Sequence, residues 1–180
     1  MIPVEIYGVD TEVCEEFYEK LPGLVADITE DTSYSESLYS VTYGDYHSQI
    51  RIADEWAGNS PYVWPEEVWM EVEMALHATK YPDVGVIEHL TTLDGIDCVR
   101  ISQWMHFSTN IYPIYSKKAC IGLQKLGLKT PFKPNDMASY GLFVSRLEGL
   151  KLYAPAAGLP EIGLPRARVL QLGLERFADL

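Results

Sequence analysis

The spacing of hydrophobic positions changes several times along this chain, and each change predicts a change of element. Residues 2–7 alternate, with Ile2, Val4 and Ile6 on one face, as a strand does. From Asp10 or Thr11 the period lengthens. Val13, Phe17 and Leu21 then recur at helical spacing beside Cys14 and Tyr18, which predicts a helix closed by Pro22-Gly23. Glu12, Glu15 and Glu16 suit the positive end of its dipole. Residues 24–29 read as a short strand.

Two hairpins follow from turn chemistry. Gly44-Asp45 places Tyr39, Val41 and Tyr43 on one face with Tyr46, Ser48, Ile50 and Ile52, and leaves Leu38, Ser40, Thr42, His47, Gln49 and Arg51 on the other. Asp94-Gly95 is a type I′ signal. It sets Val84, Val86, Leu90, Val99, Ile101 and Met105 against a second face of Ile87, His89, Thr91, Cys98, Arg100, Ser102 and Trp104. Between the hairpins, residues 54–64 read as a loop around Gly58, Asn59, Ser60 and Pro61. Pro65-Glu66-Glu67 then opens a helix to about Lys80, with a stripe of Val68, Val72, Ala75 or Leu76, and Thr79. The same stretch alternates through Val68, Met70, Val72, Met74 and Leu76, but its start signal and length favour helix.

Proline and glycine punctuate the last third. Ser116 caps a helix bearing Ala119, Cys120, Leu123 and Leu126, stopped by Gly127. Residues 138–154 fit either a helix or strands 143–147 and 150–154. Pro165 opens a final helix from Arg166 to Phe177. These elements predict an α+β fold: a mainly antiparallel sheet built from hairpins, packed by helices on one face, with a helical C-terminal third. The expected organisation is a core over residues 1–130 and a mostly helical extension over 131–180 within the same domain. Residues 130–136 are the best linker candidate.

Composition adds limits. With 180 residues and 47% hydrophobic content, the chain can bury a sizeable core and does not resemble a disordered one. No apolar run approaches the roughly 20 residues of a membrane span. Met1-Ile2-Pro3-Val4-Glu5 lacks the basic and apolar regions of a secretory signal, so the expected location is the cytoplasm or a virion. Cys14, Cys98 and Cys120 read as free buried thiols in a reducing compartment, and no Cys-x-x-Cys occurs. No cofactor or metal is expected.

Charge is the most informative departure. Residues 1–75 carry 17 acids against two bases, Lys20 and Arg51, whereas residues 76–180 carry 9 acids against 12 bases. The acidic half disfavours direct phosphate contact, so no nucleic-acid binding by it and no membrane attachment are expected.

Candidate chemistry is sparse. His77, His89 and His106 each have a hydroxyl residue two positions on, namely Thr79, Thr91 and Ser108. Paired motifs of this kind serve phosphoesterases that use one imidazole as base and another as acid. In the second hairpin Cys98 lies diagonal to His89, the arrangement of a thiolate dyad, and Glu88 interrupts an apolar face. Trp56, Tyr62 and Trp64 are either interface anchors or caps on the core. Lys117 and Lys118, at the start of a helix, are positioned to meet carboxylates of a neighbouring subunit. Together with Arg166 and Arg168, these are the expected protein-interface residues.

The leading expectation is a non-enzymatic subunit that forms a ring or tube with itself or other proteins through acidic-to-basic contacts. Virion neck and tail components are an analogy of charge. The alternatives are an acidic nucleic-acid mimic that inhibits a DNA- or RNA-binding protein, and a small histidine-dependent phosphoesterase.

Overall fold

A computed structural model describes residues 8–28, 32–155 and 158–180. Among these residues there is no strand: the described fold is all-helical and the expected antiparallel sheet is overturned. The helices are α1 (Thr11–Val25), α2 (Thr32–Ser40), α3 (Tyr46–Ala57), α4 (Glu66–Ala78), α5 (Cys98–Thr109), α6 (Lys117–Lys125), α7 (Met137–Tyr153) and α8 (Arg166–Ala178), with a 3-10 segment over Gly85–Thr92. The expected strand over residues 2–7 lies outside the described residues.

Both hairpin predictions fail because a turn signal does not decide whether a strand or a capped helix follows it. Aspartate beside glycine is turn chemistry, but aspartate is also among the best helix N-caps. Asp45 caps α3 by accepting the Ser48 N–H at 3.0 Å. Asp97 caps α5 by accepting the Arg100 N–H at 2.9 Å. Gly95, at φ +74°, turns the chain from the 3-10 segment toward that cap, where a side chain would be strained. Residues expected as the apolar face of the first hairpin are instead split, with Ile50 and Ile52 buried and Tyr39 and Tyr43 86% and 94% exposed.

Helices with unambiguous punctuation match expectation more closely. Acids at Glu66 and Glu67 open α4, which buries Val72, Ala75 and Leu76. Ser116 caps α6 through the Ala119 N–H. α1 does not stop at Pro22 but runs to Val25, burying Cys14, Phe17, Leu21 and Val25. The ambiguous stretch 138–154 is a continuous helix, α7, with Tyr140, Phe143, Val144, Leu147 and Leu150 buried.

One hydrophobic cluster runs from Cys14 to Phe177. α5 is its central rod, buried on nearly every side: Cys98, Ile101, Ser102 and every residue from Trp104 to Ser108 are buried. α3 lies along α5, α4 and α7 pack on the 3-10 segment, and α8 packs against α1, α6 and α7. Two glycines let α8 seat closely. A Cβ on Gly122 would stand 2.3 Å from the Leu174 carbonyl oxygen, and one on Gly173 would stand 2.2 Å from Leu21 Cδ1. Residues 130–136 are tied down: Cys98 N–H donates to the Pro134 carbonyl at 2.7 Å, and Tyr115 Oη donates to the Pro131 carbonyl at 2.9 Å.

Candidate functional site

Two polar centres are buried against α5. In the first, Arg100 and Trp104 lie four residues apart and so share one helix face, toward which α3 presents Asp54. Arg100 Nε and Nη2 donate to Asp54 Oδ1 and Oδ2 at 2.9 and 2.7 Å, and Trp104 Nε1 donates to Oδ1 at 2.9 Å. The Asp54 side chain is 1% exposed and that of Arg100 13%. Arg100 also donates to the Ser60 carbonyl at 2.6 Å, and its guanidinium lies 3.8 Å from the Tyr62 ring centroid. Asn59 Nδ2 reaches Gln103 Oε1 at 3.1 Å and Asp54 Oδ1 at 3.4 Å. Both carboxylate oxygens are occupied, so this is a closed ion pair that joins α3 to α5.

In the second centre, His106 is fully buried. Its Nδ1 lies 2.7 Å from the Tyr112 carbonyl and its Nε2 2.7 Å from Tyr34 Oη. The carbonyl can only accept, so Nδ1 carries the proton, Nε2 is the acceptor, and Tyr34 donates. Burial pushes His106 down to about 4, with nearby Arg168 acting in the same direction. The imidazole is neutral and inaccessible.

These placements dispose of the paired-histidine geometry. His106 is in the core, while exposed His77 faces Tyr46 with Nδ1 3.4 Å from Oη. Exposed His89 lies 3.5 Å from Glu71. The three imidazoles have three separate sets of partners. The Cys98–His89 dyad goes with the hairpin that would have formed it. Cys98 is buried at the start of α5, and burial pushes its thiol up to about 11. Cys14 and Cys120 are likewise buried and pushed up to about 11 and about 12. Glu88 does not interrupt a buried face but is exposed on the 3-10 segment.

The aromatic candidates are packed inward. Tyr62 stacks on Trp64 at 4.4 Å, and Trp64 meets Trp69 and Trp104 at 4.7 and 6.0 Å. Trp56 packs on Tyr34 and Phe107 at 5.7 and 5.2 Å. Arg168 lies over the Tyr34 and Trp56 rings at 5.3 and 5.7 Å. In contrast, Lys117, Lys118 and Arg166 are exposed. Lys118 pairs with Asp179 at 3.0 Å.

Asp54 was not legible as a site residue, because the sequence pattern places it in a loop. Its signal was an acid four residues after Ile50, on the face that a helical period would bury. An open groove of about 430 Å³ between α1 and the end of α7 is lined by Glu15, Tyr18, Glu19, Tyr153 and Pro155. It holds no nucleophile beside a base. Among the described residues no group of three or more His, Cys, Asp or Glu could hold a metal ion, and no helix is long and apolar enough to cross a membrane. Comparison with protein-family models, curated proteins and solved structures found no match.

Proposed function

We propose that this protein is a non-enzymatic assembly subunit, joined to further copies by contacts of an acidic surface on a basic one. The observation that carries the reading is the sorting of exposed charge by helix. α4 bears Glu66, Glu67, Glu71 and Glu73 and no lysine or arginine. α6 bears Lys117, Lys118 and Lys125 and no acid. Large apolar side chains stand exposed on both helices, Met70 and Met74 on α4 and Ile121 on α6. Heterologous contacts of this kind close into rings or extend into tubes, depending on the rotation between neighbours.

Light scattering at low and high salt tests the reading. Exposed charge pairs are screened as ionic strength rises. The expected result is a species heavier than 20.3 kDa at low salt that dissociates as salt increases. A chain that stays monomeric at every concentration and salt defeats the proposal.

A further inference from the structure

We infer that the outer crest of α4 in one copy docks on the outer crest of α6 in a second copy, glutamates against lysines and methionines against isoleucine. This rests on the assembly reading and names the surfaces that would perform it.

The argument begins with helical period. α4 turns Val72, Ala75 and Leu76 into the core. Residues at the remaining phase, Met70, Met74 and His77, recur at i, i+4 and i+7 and therefore form one outward row. Met70 is 54% and Met74 69% exposed. At 100° per residue, Glu66 and Glu73 fall on one side of that row and Glu67 and Glu71 on the other. The result is an apolar ridge between two acidic rails.

α6 repeats the plan with opposite sign. It buries Ala119, Cys120, Gly122 and Leu123. Ile121, 42% exposed, lies at the centre of its outer face. Lys117, Lys118 and Lys125 surround it at i−4, i−3 and i+4. Among the described residues Lys117 has no ion-pair partner, and Lys118 has only the exposed contact with Asp179. Exposed pairs of that kind are weak, so Lys118 can exchange partners.

A second copy fits these two faces better than a foreign chain because one molecule carries both halves of the complement. Like faces repel, so a two-fold dimer through either crest is disfavoured and a head-to-tail contact is selected. Methionine side chains adapt to the branched isoleucine opposite them. Two short crests bury less than the roughly 1,200 Å² typical of stable complexes, which makes each contact weak, concentration-dependent and salt-sensitive.

Charge-swapped variants test the contact. One carries Glu67→Lys with Glu71→Lys, the other Lys117→Glu with Lys118→Glu. The α6 substitutions place acids at a helix start, where the dipole favours them, and circular dichroism checks that both variants keep their helices. Sedimentation velocity at low salt should show each variant associating about tenfold or more weakly than the parent. An equimolar mixture of the two should recover association, because each then offers the other an opposite face. A third variant, Glu12→Lys with Glu16→Lys on the exposed face of α1, should associate like the parent and separates this contact from an effect of net charge. If the parent associates and the α4 and α6 variants do so equally well, the docking surfaces are wrong while the assembly reading stands. If the parent is monomeric throughout, the assembly reading itself fails. A monomeric parent that binds a lysine-rich amphipathic peptide would assign the α4 crest to a foreign helix and overturn the second-copy contact.

Discussion

The two polar centres on α5 solve one problem in opposite ways. Asp54 and Arg100 are charged, and the aspartate is satisfied by three donated hydrogen bonds from Arg100 and Trp104. His106, on another side of the same helix, is buried more completely but is neutral, with one acceptor and one donor on its two nitrogens. The difference follows from the cost of burying charge. A carboxylate can be desolvated when a bidentate guanidinium meets it, whereas an imidazolium facing a carbonyl and a hydroxyl beside Arg168 has no counter-charge. The first centre therefore depends on both partners being present, and the second on the absence of a proton.

Removing a partner should break the comparison most forcefully. Asp54→Ala leaves Arg100 under-compensated and the Trp104 indole N–H without its acceptor. The expected loss is about 3–5 kcal/mol in urea unfolding. A loss below about 1 kcal/mol would mean that the pair does not clamp α3 to α5.

Acid should attack the second centre. The His106 folded value of about 4 lies below the unfolded 6.5. The unfolded state therefore takes up a proton first as pH falls. Stability from this group is complete above about 6.5 and is lost progressively down to about 4, by about 3 kcal/mol in all. His106→Gln, compared with the parent across that range, should show a flatter stability curve. Parallel curves for the two proteins would sink the assignment.

A smaller effect sharpens the tautomer. Tyr34→Phe removes the donor to Nε2 and leaves a buried acceptor unmatched, at a cost of about 1–2 kcal/mol. Because the lost bond favours the neutral ring, the His106 titration should also move upward, which an imidazole NMR titration would detect. An unchanged or lower midpoint would place the proton on the other nitrogen.

Legibility from sequence divided along similar lines. α4 and α6 can be read because proline, serine or acids mark their starts and a buried stripe follows, and α8 because Pro165 marks its start and most of its surface is apolar. The start of α1 was equally clear, although Pro22 did not end it. α3 and α5 carry sequence patterns that fit strands. Each begins at an aspartate near a glycine, which is also hairpin chemistry. α5 is buried almost all round, so its hydrophobic positions satisfy a period of two as readily as 3.6. Lys117 and Lys118 stand out in the sequence because they are cations at a helix start, the end the dipole disfavours. Trp56, Tyr62 and Trp64 were recognisable only as aromatics in a loop, and their inward packing depends on neighbours distant in sequence.

By itself, the sequence determined where α1, α4, α6 and α8 begin, which residues of α4 and α6 face inward, and that acids crowd the first half while bases dominate the rest. These are local or compositional properties, set by residues within a turn or two of each other. Tertiary structure decided that Asp54 and Arg100, 46 residues apart, share a buried site. It decided that His106 is sealed beneath Tyr34, and that the acidic and basic halves interleave, with α3 on α5 and α1 on α8. The physical reason is that a buried polar group is defined by what surrounds it, and packing between distant helices supplies those surroundings.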